Sequence, residues 1–279
     1  IYDLNTQRRD MARLDNQHRM FLRLFDNRYI HVPLDFDKSG IAILESGAGT
    51  GLWLLELSTL IPSSTELIGI DIVDKLFPAR ETLPSNVTFQ ITSILDLPNE
   101  WANKFTFVHQ RFLGAALRSP EWVTAINNMY RVLEPGGWVQ LLEPTLSINS
   151  GAAGNVFKAL LQRIRQINGN MTGMMPTTHE ALKRLVEEAG FEDVSVTLYE
   201  PPVGKWAGDI GIQQRDILIQ VMRGMKGLVL KNEGFGVVSG EEGYERFVDE
   251  WVREVDEGKL KPHSNFAMIC ARKPIGEKA

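Results

Sequence analysis

The sequence predicts an α/β fold in which a mostly parallel central sheet is built from alternating strands and helices. Short apolar runs at residues 41–45 and 66–71 each end in an acidic residue, as expected of strands that are buried on both faces. Further runs at residues 87–91, 105–109 and 138–143 continue the alternation with helical segments. This spacing is typical of βαβ units, whose strands run parallel.

Helical periodicity dominates the rest of the chain. A helix is predicted over 120–133, closed by a Glu-Pro-Gly-Gly turn at 134–137, and four more over 156–164, 182–189, 210–229 and 242–257. Strands are predicted at 194–199 and 266–272. Near the start of the chain, Leu14, His18, Phe21, Leu22 and Phe25 share one helix face. We expect a single domain: an N-terminal helical cover at 1–32, a βαβ core at 33–145, and a second half at 146–279 with a helical lid.

Composition and charge exclude several classes of protein. The 279 residues carry a formal net charge of −5, with an isoelectric point near 5.6, which argues against a nucleic-acid partner. No apolar stretch approaches the roughly 20 residues that would span a membrane. The single Cys270 cannot form an internal disulfide and favours a reducing, cytoplasmic location. The five histidines are scattered, so the sequence predicts no metal site.

A glycine-rich turn follows the first predicted strand. Residues 45–51 read Glu-Ser-Gly-Ala-Gly-Thr-Gly. The glycines suit a tight turn, a close approach of backbone N–H groups to a ligand, and close packing of a helix on a strand. The pattern alone fits a nucleotide-binding loop and an ordinary flexible turn equally well. Asp71 ends the next strand, where a carboxylate can accept both hydroxyls of a ribose or cap a helix.

The first residue of the turn separates two classes of cofactor. A dinucleotide site delivers a pyrophosphate to the helix N-terminus. Glu45 would repel a phosphate, but it suits the ammonium of a methionine moiety. The turn therefore favours S-adenosylmethionine over NAD.

Several motifs together resemble the signatures of class I methyltransferases. They are the turn at 45–51, Ile70-Asp71, the Phe-Thr-Phe-Val-His-Gln-Arg stretch at 105–111 and the Arg-Val-Leu-Glu-Pro-Gly-Gly-Trp-Val-Gln stretch at 131–140. Nearly the whole chain also resembles the LaeA-type methyltransferases of fungi, through residues 13–18, 107–111, 202–206 and 271–274. The resemblance implies a Rossmann-like class I fold with an antiparallel last strand, and S-adenosylmethionine as the cofactor.

The resemblance also implies which residues hold the two ends of the cofactor. Glu45 and the backbone of Gly47, Ala48 and Gly49 hold the methionine end, and Asp71 binds the ribose. At the other end, the implied adenine contacts are Ile72, Ile94 and either Ser93 or Asp96. The family has an acid at the position of Ser93 to receive the adenine amino group, so either residue could make this contact.

The same resemblance implies that residues from two elements line the cleft near the methyl donor. Gln110 and Arg111 follow the fourth strand, and the N-terminal helix closes over the cofactor with Arg13 or His18 reaching it. His18 lies on the apolar face of that helix, so a buried, hydrogen-bonded histidine is an equally good interpretation.

Methyl transfer from a sulfonium requires a base only where the acceptor carries a proton. Glu143, His18 and His179 are the candidates, and Glu143 is the best placed because ligands bind outside the carboxyl ends of the strands. An equally weighted alternative makes Glu143 a structural partner of a backbone N–H or an arginine. We expect His109 to be buried within its strand.

An apolar acceptor wall is expected in the second half of the chain. Its candidates are Met171, Met174, Met175, Trp206 and Phe235, although core packing is the commoner role of such residues. The leading hypothesis is O-methylation of a hydroxyl or carboxyl group in a fungal secondary metabolite. The alternatives are a LaeA-like regulatory protein and a cofactor-binding fold recruited to a cyclisation, and a homodimer is left open.

Overall fold

The computed structural model describes residues 4–114, 116–145, 151–167 and 178–276. The helices are α1 (Leu4–Leu24), α2 (Leu52–Ser58), α3 (Ser119–Val132), α4 (Ala152–Ile167), α5 (His179–Glu188), α6 (Gly208–Lys231) and α7 (Gly240–Glu257). The strands are β1 (Ala42–Ser46), β2 (Glu66–Asp71), β3 (Val87–Ile91), β4 (Phe105–Arg111), β5 (Leu133–Thr145), β6 (Glu192–Tyr199) and β7 (Asn265–Arg272).

All seven strands form one sheet, in the order β3-β2-β1-β4-β5-β7-β6. Strands β1 to β5 pair in parallel, and β7 runs antiparallel to both β5 and β6. The expected mostly parallel sheet with an antiparallel last strand is confirmed. Because β1 lies at the centre, with β2 and β4 beside it, the turn after β1 emerges at the point where the strand order reverses. Ligands of open α/β sheets bind at such a point.

Each face of the sheet is covered by different helices. Trp53, Leu54 and Leu57 of α2 pack with Phe107 on one face, where α1 also lies. The opposite face is covered by α3 and α5. Because successive side chains of a strand alternate between faces, neighbouring residues of β1 serve different layers.

Helices α4, α6 and α7 pack together in a separate cluster centred on the fully buried Trp251 and Tyr244. The hydroxyl of Tyr244 donates to the carbonyl of Met222 at 2.5 Å, which joins α7 to α6. Glu254 of α7 accepts hydrogen bonds from the backbone N–H groups of Ala153 and Gly154, at the start of α4. These bonds satisfy donors that a helix N-terminus leaves unpaired. Among the described residues, no helix is long and apolar enough to cross a membrane.

The junction of α3 and β5 differs from the prediction. The expected Glu-Pro-Gly-Gly turn does not separate helix from strand, because α3 ends at Val132 and β5 begins at Leu133. The four residues form the irregular start of β5, and the pairing with β4 shifts register there. Gly136 has a φ of 84° and donates its N–H to the carbonyl of Lys273. Glycine and proline therefore mark a strand irregularity, which a turn pattern does not distinguish from a helix stop.

Candidate cofactor and active site

The glycine turn is held by hydrogen bonds to β2. The backbone N–H groups of Gly47 and Ala48 both donate to the carbonyl of Ile70 at 2.9 Å, and Gly49 donates to Oδ2 of Asp71 at 3.0 Å. Asp71 is half-buried, and no helix follows it, so it is not a helix cap. Its Oδ2 thereby holds the turn against the end of β2.

Two glycines near the turn make room for one aromatic ring. A Cβ added to Gly51 would lie 2.4 Å from Cζ of Phe89, and one added to Gly69 would lie 2.5 Å from the same ring. Gly51 also has a φ of 72°, and Gly49 has a φ of 54°. Such backbone conformations are strained for residues with a Cβ. The positions of the turn, β2 and β3 therefore depend on one another.

Glu45 lies buried at the centre of the site. Its side chain is about 2% exposed, and its Oε2 accepts no hydrogen bond from the described residues. Burial raises the pKa of Glu45 to about 8; the positive charge of Arg111 opposes this shift and the negative charge of Asp71 adds to it. A buried carboxyl oxygen without a donor is costly. It is the group that a ligand ammonium would complete.

On the opposite face of the sheet, Ser46 and Gln110 form a second polar pair. The Ser46 hydroxyl donates to Oε1 of Gln110 at 2.9 Å, and both side chains are buried. The Nε2 of Gln110 has no acceptor among the described residues. This amide is thus a second orphaned polar group beside the glycine turn.

Helix α1 lies over the turn. A Cβ added to Gly49 would lie 3.5 Å from Leu14 of α1, so the two are in van der Waals range. The hydroxyl of Thr50 donates to Asp15 at 3.0 Å. Arg13 is half-buried in the same stretch of helix. The N-terminal helix therefore covers the cofactor turn, and Arg13 at the cofactor remains a prediction.

His18 is the centre of a buried hydrogen-bond network. Its Nε2 lies 2.7 Å from Oε2 of Glu56, and its Nδ1 lies 3.0 Å from an Nη of Arg111. The hydroxyl of Tyr29 also donates to Oε2 of Glu56, at 2.6 Å. Burial, together with the charge of Arg111, lowers the pKa of His18 to about 4. Both ring nitrogens are engaged, which matches the alternative of a hydrogen-bonded buried histidine better than a free base.

Sequence reasoning missed Glu56 and Tyr29 as parts of this site. Glu56 is the one acidic residue in the otherwise apolar α2, Leu-Trp-Leu-Leu-Glu-Leu-Ser. The available signal was a lone carboxylate close to a buried helix face, three residues after the buried Trp53. Such a carboxylate indicates a polar partner nearby. Tyr29 carried no comparable signal, because it lies outside any periodic segment.

Glu143 is 5% exposed and lies near the carboxyl end of β5, as expected. Its two carboxyl oxygens accept the backbone N–H groups of Leu113 and Gly114, each at 2.9 Å. Burial raises the pKa of Glu143 to about 8, and these two hydrogen bonds oppose that shift. The contacts match the structural alternative, in which Glu143 holds the loop after β4. A Cβ added to Gly47 would lie 2.9 Å from the side chain of Leu113 in this loop, so Leu113 covers the turn.

The adenine end has one exposed and one buried isoleucine. Ile72 is 68% exposed and Ile94 is 5% exposed, within the core under α3. The Ser93 hydroxyl accepts the backbone N–H of Leu95 at 3.1 Å, and Asp96 is exposed. The adenine contacts of these residues remain predictions, with Ser93 and Asp96 both still candidates.

The other candidates have structural partners or lie elsewhere. His109 is buried and stacks on Trp53, with ring centroids 4.1 Å apart. His179 begins α5, where it pairs with its neighbour Glu180. The indole of Trp206 donates to the carbonyl of Val203, and Phe235 packs against the cluster of α4, α6 and α7. The methionine candidates Met171, Met174 and Met175 lie outside the described residues.

The donor set fits S-adenosylmethionine. A buried orphan oxygen of Glu45 suits the ammonium, and Asp71 suits a ribose hydroxyl. Within the described ranges, no group of three or more His, Cys, Asp or Glu side chains could hold a metal ion. A Rossmann-like sheet, with a glycine turn and these two acids at its switch point, defines a class I methyltransferase.

Comparison with known proteins agrees with this class. The family described as "Methyltransferase domain" matches residues 16–196. An N-methyltransferase from Leptosphaeria maculans is 32% identical over 280 residues, which cover 98% of this chain and 95% of that protein. An N-methyltransferase from Clonostachys rogersoniana is 31% identical over 205 residues, 73% of this chain and 70% of that protein. The chain belongs to the methyltransferase domain family and is an S-adenosylmethionine-dependent enzyme.

The likeness to LaeA-type proteins is also found. A secondary metabolism regulator from Hypocrea atroviridis is 24% identical over 216 residues, which cover 75% of this chain and 60% of that protein. Among solved structures, a phosphoethanolamine N-methyltransferase from Haemonchus contortus, in complex with S-adenosylhomocysteine, superimposes with a TM-score of 0.53. It is 17% identical, and the match covers 93% of this chain but only 52% of that protein, so this likeness shows the fold alone.

Proposed function

We propose that the enzyme methylates a nitrogen atom of a small, largely apolar metabolite in a fungal biosynthetic pathway. This moves the proposal away from the O-methylation that the sequence favoured. The two relatives described as N-methyltransferases support nitrogen as the acceptor. The structural observation that carries the proposal is the engagement of Glu143 and His18, the two candidate bases beside the glycine turn, by protein partners.

The hydrogen bonds that Glu143 and His18 make to the protein matter because nitrogen and oxygen acceptors lose their proton at different stages of the reaction. Glu143 is held by two backbone N–H groups, and His18 by Glu56 and Arg111. A hydroxyl becomes a good nucleophile only as a base removes its proton. A neutral amine attacks through its own lone pair and loses its proton to water afterwards. A site whose carboxylate and imidazole are already hydrogen-bonded disfavours a hydroxyl and suits an amine. A carboxylate needs no base either, and here the relatives described as N-methyltransferases favour the amine.

The bound cofactor supplies an electrophilic methyl group and a neutral thioether leaving group. The chain contributes alignment and exclusion of water, and orientation of two reactants can be worth roughly 7–11 kcal/mol of the barrier. Glu45 and the backbone of the glycine turn orient the methionine end, and α1 covers that turn from above. Leu113 and Phe112 place apolar surface beside the turn, and Phe112 packs on Phe21 of α1 at a centroid distance of 5.1 Å. These residues favour an acceptor with an apolar body.

Matched acceptors test the proposal. The enzyme is incubated with methyl-labelled S-adenosylmethionine and sets of arylalkyl acceptors that differ only in carrying an amine, an alcohol or a carboxylic acid. Fungal metabolite extracts serve as a second panel, and the labelled products are identified by mass spectrometry. We expect label on nitrogen, with a mass increase of one methyl group. Transfer to oxygen alone, or an isomerised product without added mass, would contradict N-methylation.

A further inference from the structure

The geometry around His18 allows one hydrogen-bond assignment. Glu56 lies against Nε2, and an ionised carboxylate can only accept. Arg111 lies against Nδ1, and a guanidinium can only donate. The ring is therefore the neutral tautomer with its proton on Nε2 and a lone pair on Nδ1 directed at Arg111. The low pKa of His18, about 4, agrees with a ring that stays neutral.

The network is anchored at several points of the fold. Tyr29 donates to the same carboxyl oxygen of Glu56 that His18 uses. The carbonyl of Tyr29 in turn accepts Nε2 of Gln140 on β5, at 3.1 Å. Because α1, α2, β5 and the segment after α1 all contribute, the orientation of the imidazole is fixed from both sides.

Arg111 is where this network meets the cofactor site. The residue ends β4, two positions after His109, which pairs in register with Glu45. Its charge acts on the carboxyl group of Glu45. The hydrogen bond to His18 is the one that its guanidinium makes within the described part of the chain, and four of its five N–H donors are then left for a ligand.

We propose that His18 is a positioning residue, which holds the guanidinium of Arg111 where it binds the carboxylate of the methionine moiety. An amino-acid group carries its ammonium and its carboxylate on the same carbon. A site that completes the ammonium with Glu45 therefore places the carboxylate within a few ångströms, where a cation is its strongest hydrogen-bond partner. Arg111 is half-buried, it lies on the strand beside Glu45 with its charge acting on that carboxyl, and His18 holds its guanidinium. His18 acts through Arg111 and contacts no reacting atom.

The inference concerns the same site as the proposed function, but its test uses no acceptor. Binding of S-adenosylhomocysteine and of 5′-methylthioadenosine is measured by calorimetry. Both ligands contain the adenosine, and only the first carries the amino-acid group. A loss of affinity confined to the first ligand therefore reports on the methionine carboxylate, which a general loosening of the fold would not do.

Two substitutions separate the two ring nitrogens of His18. The amide of His18→Gln can reach the position of Nε2 and keep the bond to Glu56, but it leaves Arg111 without its acceptor. The shorter His18→Asn keeps an acceptor at the position of Nδ1. His179→Gln, at the start of α5, is the matched control.

We expect His18→Gln to weaken the binding of S-adenosylhomocysteine by roughly tenfold or more, which is the scale of a hydrogen bond to a charged group. Methylthioadenosine should bind as it does to the unaltered protein, and His18→Asn should recover most of the lost affinity. Equal losses for both ligands, an unchanged affinity for S-adenosylhomocysteine, or an Asn variant as weak as the Gln variant would each overturn the proposal.

Arg111→Met gives a second, independent test if the histidine variants do not fold. Arg111→Met must weaken the binding of S-adenosylhomocysteine and leave the binding of methylthioadenosine unchanged. Adding His18→Gln to this variant must cause no further loss of affinity for S-adenosylhomocysteine. Additive losses would show that His18 acts by another route. Failure of any of these tests leaves N-methylation standing, whereas a wild-type protein that binds neither ligand would remove the proposed function as well.

Discussion

Oε1 of Glu45 and Nδ1 of His109 lie 3.7 Å apart on paired strands at the centre of the sheet. Burial raises the pKa of Glu45 to about 8 and holds that of His109 well below its usual range. At neutral pH the pair is therefore mainly a carboxylic acid beside a neutral imidazole. The charge on Glu45 becomes favourable when a ligand ammonium arrives.

The raised pKa of Glu45 predicts a loss of stability with rising pH in the cofactor-free protein. The unfolded chain loses this proton near pH 4.5, while the folded chain keeps it to about pH 8. The unfolded state therefore binds fewer protons between these values, and the free energy of unfolding falls as pH rises. Glu143 acts with the same sign, while the lowered pKa values of His18 and His109 act with the opposite sign until the unfolded histidines have lost their protons, about one unit above pH 6.5.

Urea unfolding between pH 7.5 and 8 reports mainly on the two glutamates, because the histidines are then almost wholly neutral in the unfolded chain as well. One group contributes at most about 1.4 kcal/mol per pH unit. Glu45→Gln should reduce the slope, and a slope equal to that of the unaltered protein would show that Glu45 is ionised without ligand.

Cofactor binding should release a proton from Glu45. At pH 7 the group is mostly protonated, and an ammonium beside it stabilises the carboxylate. Calorimetry of S-adenosylhomocysteine in buffers of different ionisation enthalpy should show release of close to one proton at most. Glu45→Gln should abolish the release and weaken binding by about 1.5–3 kcal/mol. Normal binding of S-adenosylhomocysteine by Glu45→Gln would contradict the assignment of Glu45 as the partner of the ligand ammonium.

Asp71 holds the turn and is predicted to accept a ribose hydroxyl, and two substitutions distinguish these roles. Its Oδ2 accepts the N–H of Gly49, so Asp71→Ala should both loosen the turn and remove the ribose acceptor. Asp71→Asn can still accept from Gly49 but loses the charge. We expect the alanine variant to lower the free energy of unfolding by about 1 kcal/mol and the asparagine variant by less. Both substitutions should weaken cofactor binding. Equal free energies of unfolding for the two variants would contradict the role of Asp71 in holding the turn.

The contact of Gly69 with Phe89 predicts a strong steric effect. Gly69→Ala would place a Cβ 2.5 Å from the Phe89 ring, without the backbone strain that Gly51 would add. Overpacking of this kind costs roughly 1–3 kcal/mol. Phe89→Leu in the same chain should recover part of the loss. Gly224→Ala in α6 is the control, since nothing lies within 4 Å of its added Cβ and helix propensity should raise stability by up to about 1 kcal/mol.

Glu143→Gln distinguishes a base from a loop-holding residue. The amide offers one acceptor to the two N–H groups of Leu113 and Gly114, so the loop after β4 should lose order. We expect a lower melting temperature and a higher KM for the acceptor. The pH profile of kcat/KM should keep its shape and follow the ionisation of the acceptor amine. A rising limb near pH 8 that disappears in the variant would identify Glu143 as the base.

The positions of strands and helices could be predicted from sequence because buried strands and amphipathic helices have periodic patterns. The strands at 66–71 and 87–91 were predicted to the residue. The start of β5 was not, because glycine and proline in Glu-Pro-Gly-Gly fit a turn and a bulged strand alike.

The site was only partly predictable, for a different reason. The glycine turn and Glu45 are local in sequence, so steric and charge arguments alone predict a role for each. The partners of His18 lie 38 and 93 positions away in the chain, so no local pattern could join them. Likewise, the loop contacts of Glu143 were open until the fold brought residues 113 and 114 beside β5.

The stacking of Trp53 on His109 gives the enzyme an intrinsic optical reporter. The two rings are nearly parallel, at 16°, and Nδ1 of the same imidazole lies 3.7 Å from Oε1 of Glu45. If that carboxyl ionises when the cofactor binds, the electric field across a buried indole changes, and we expect its fluorescence emission to shift. Occupancy of the site can thus be followed without a label, with Trp53→Phe to separate this signal from the other five tryptophans.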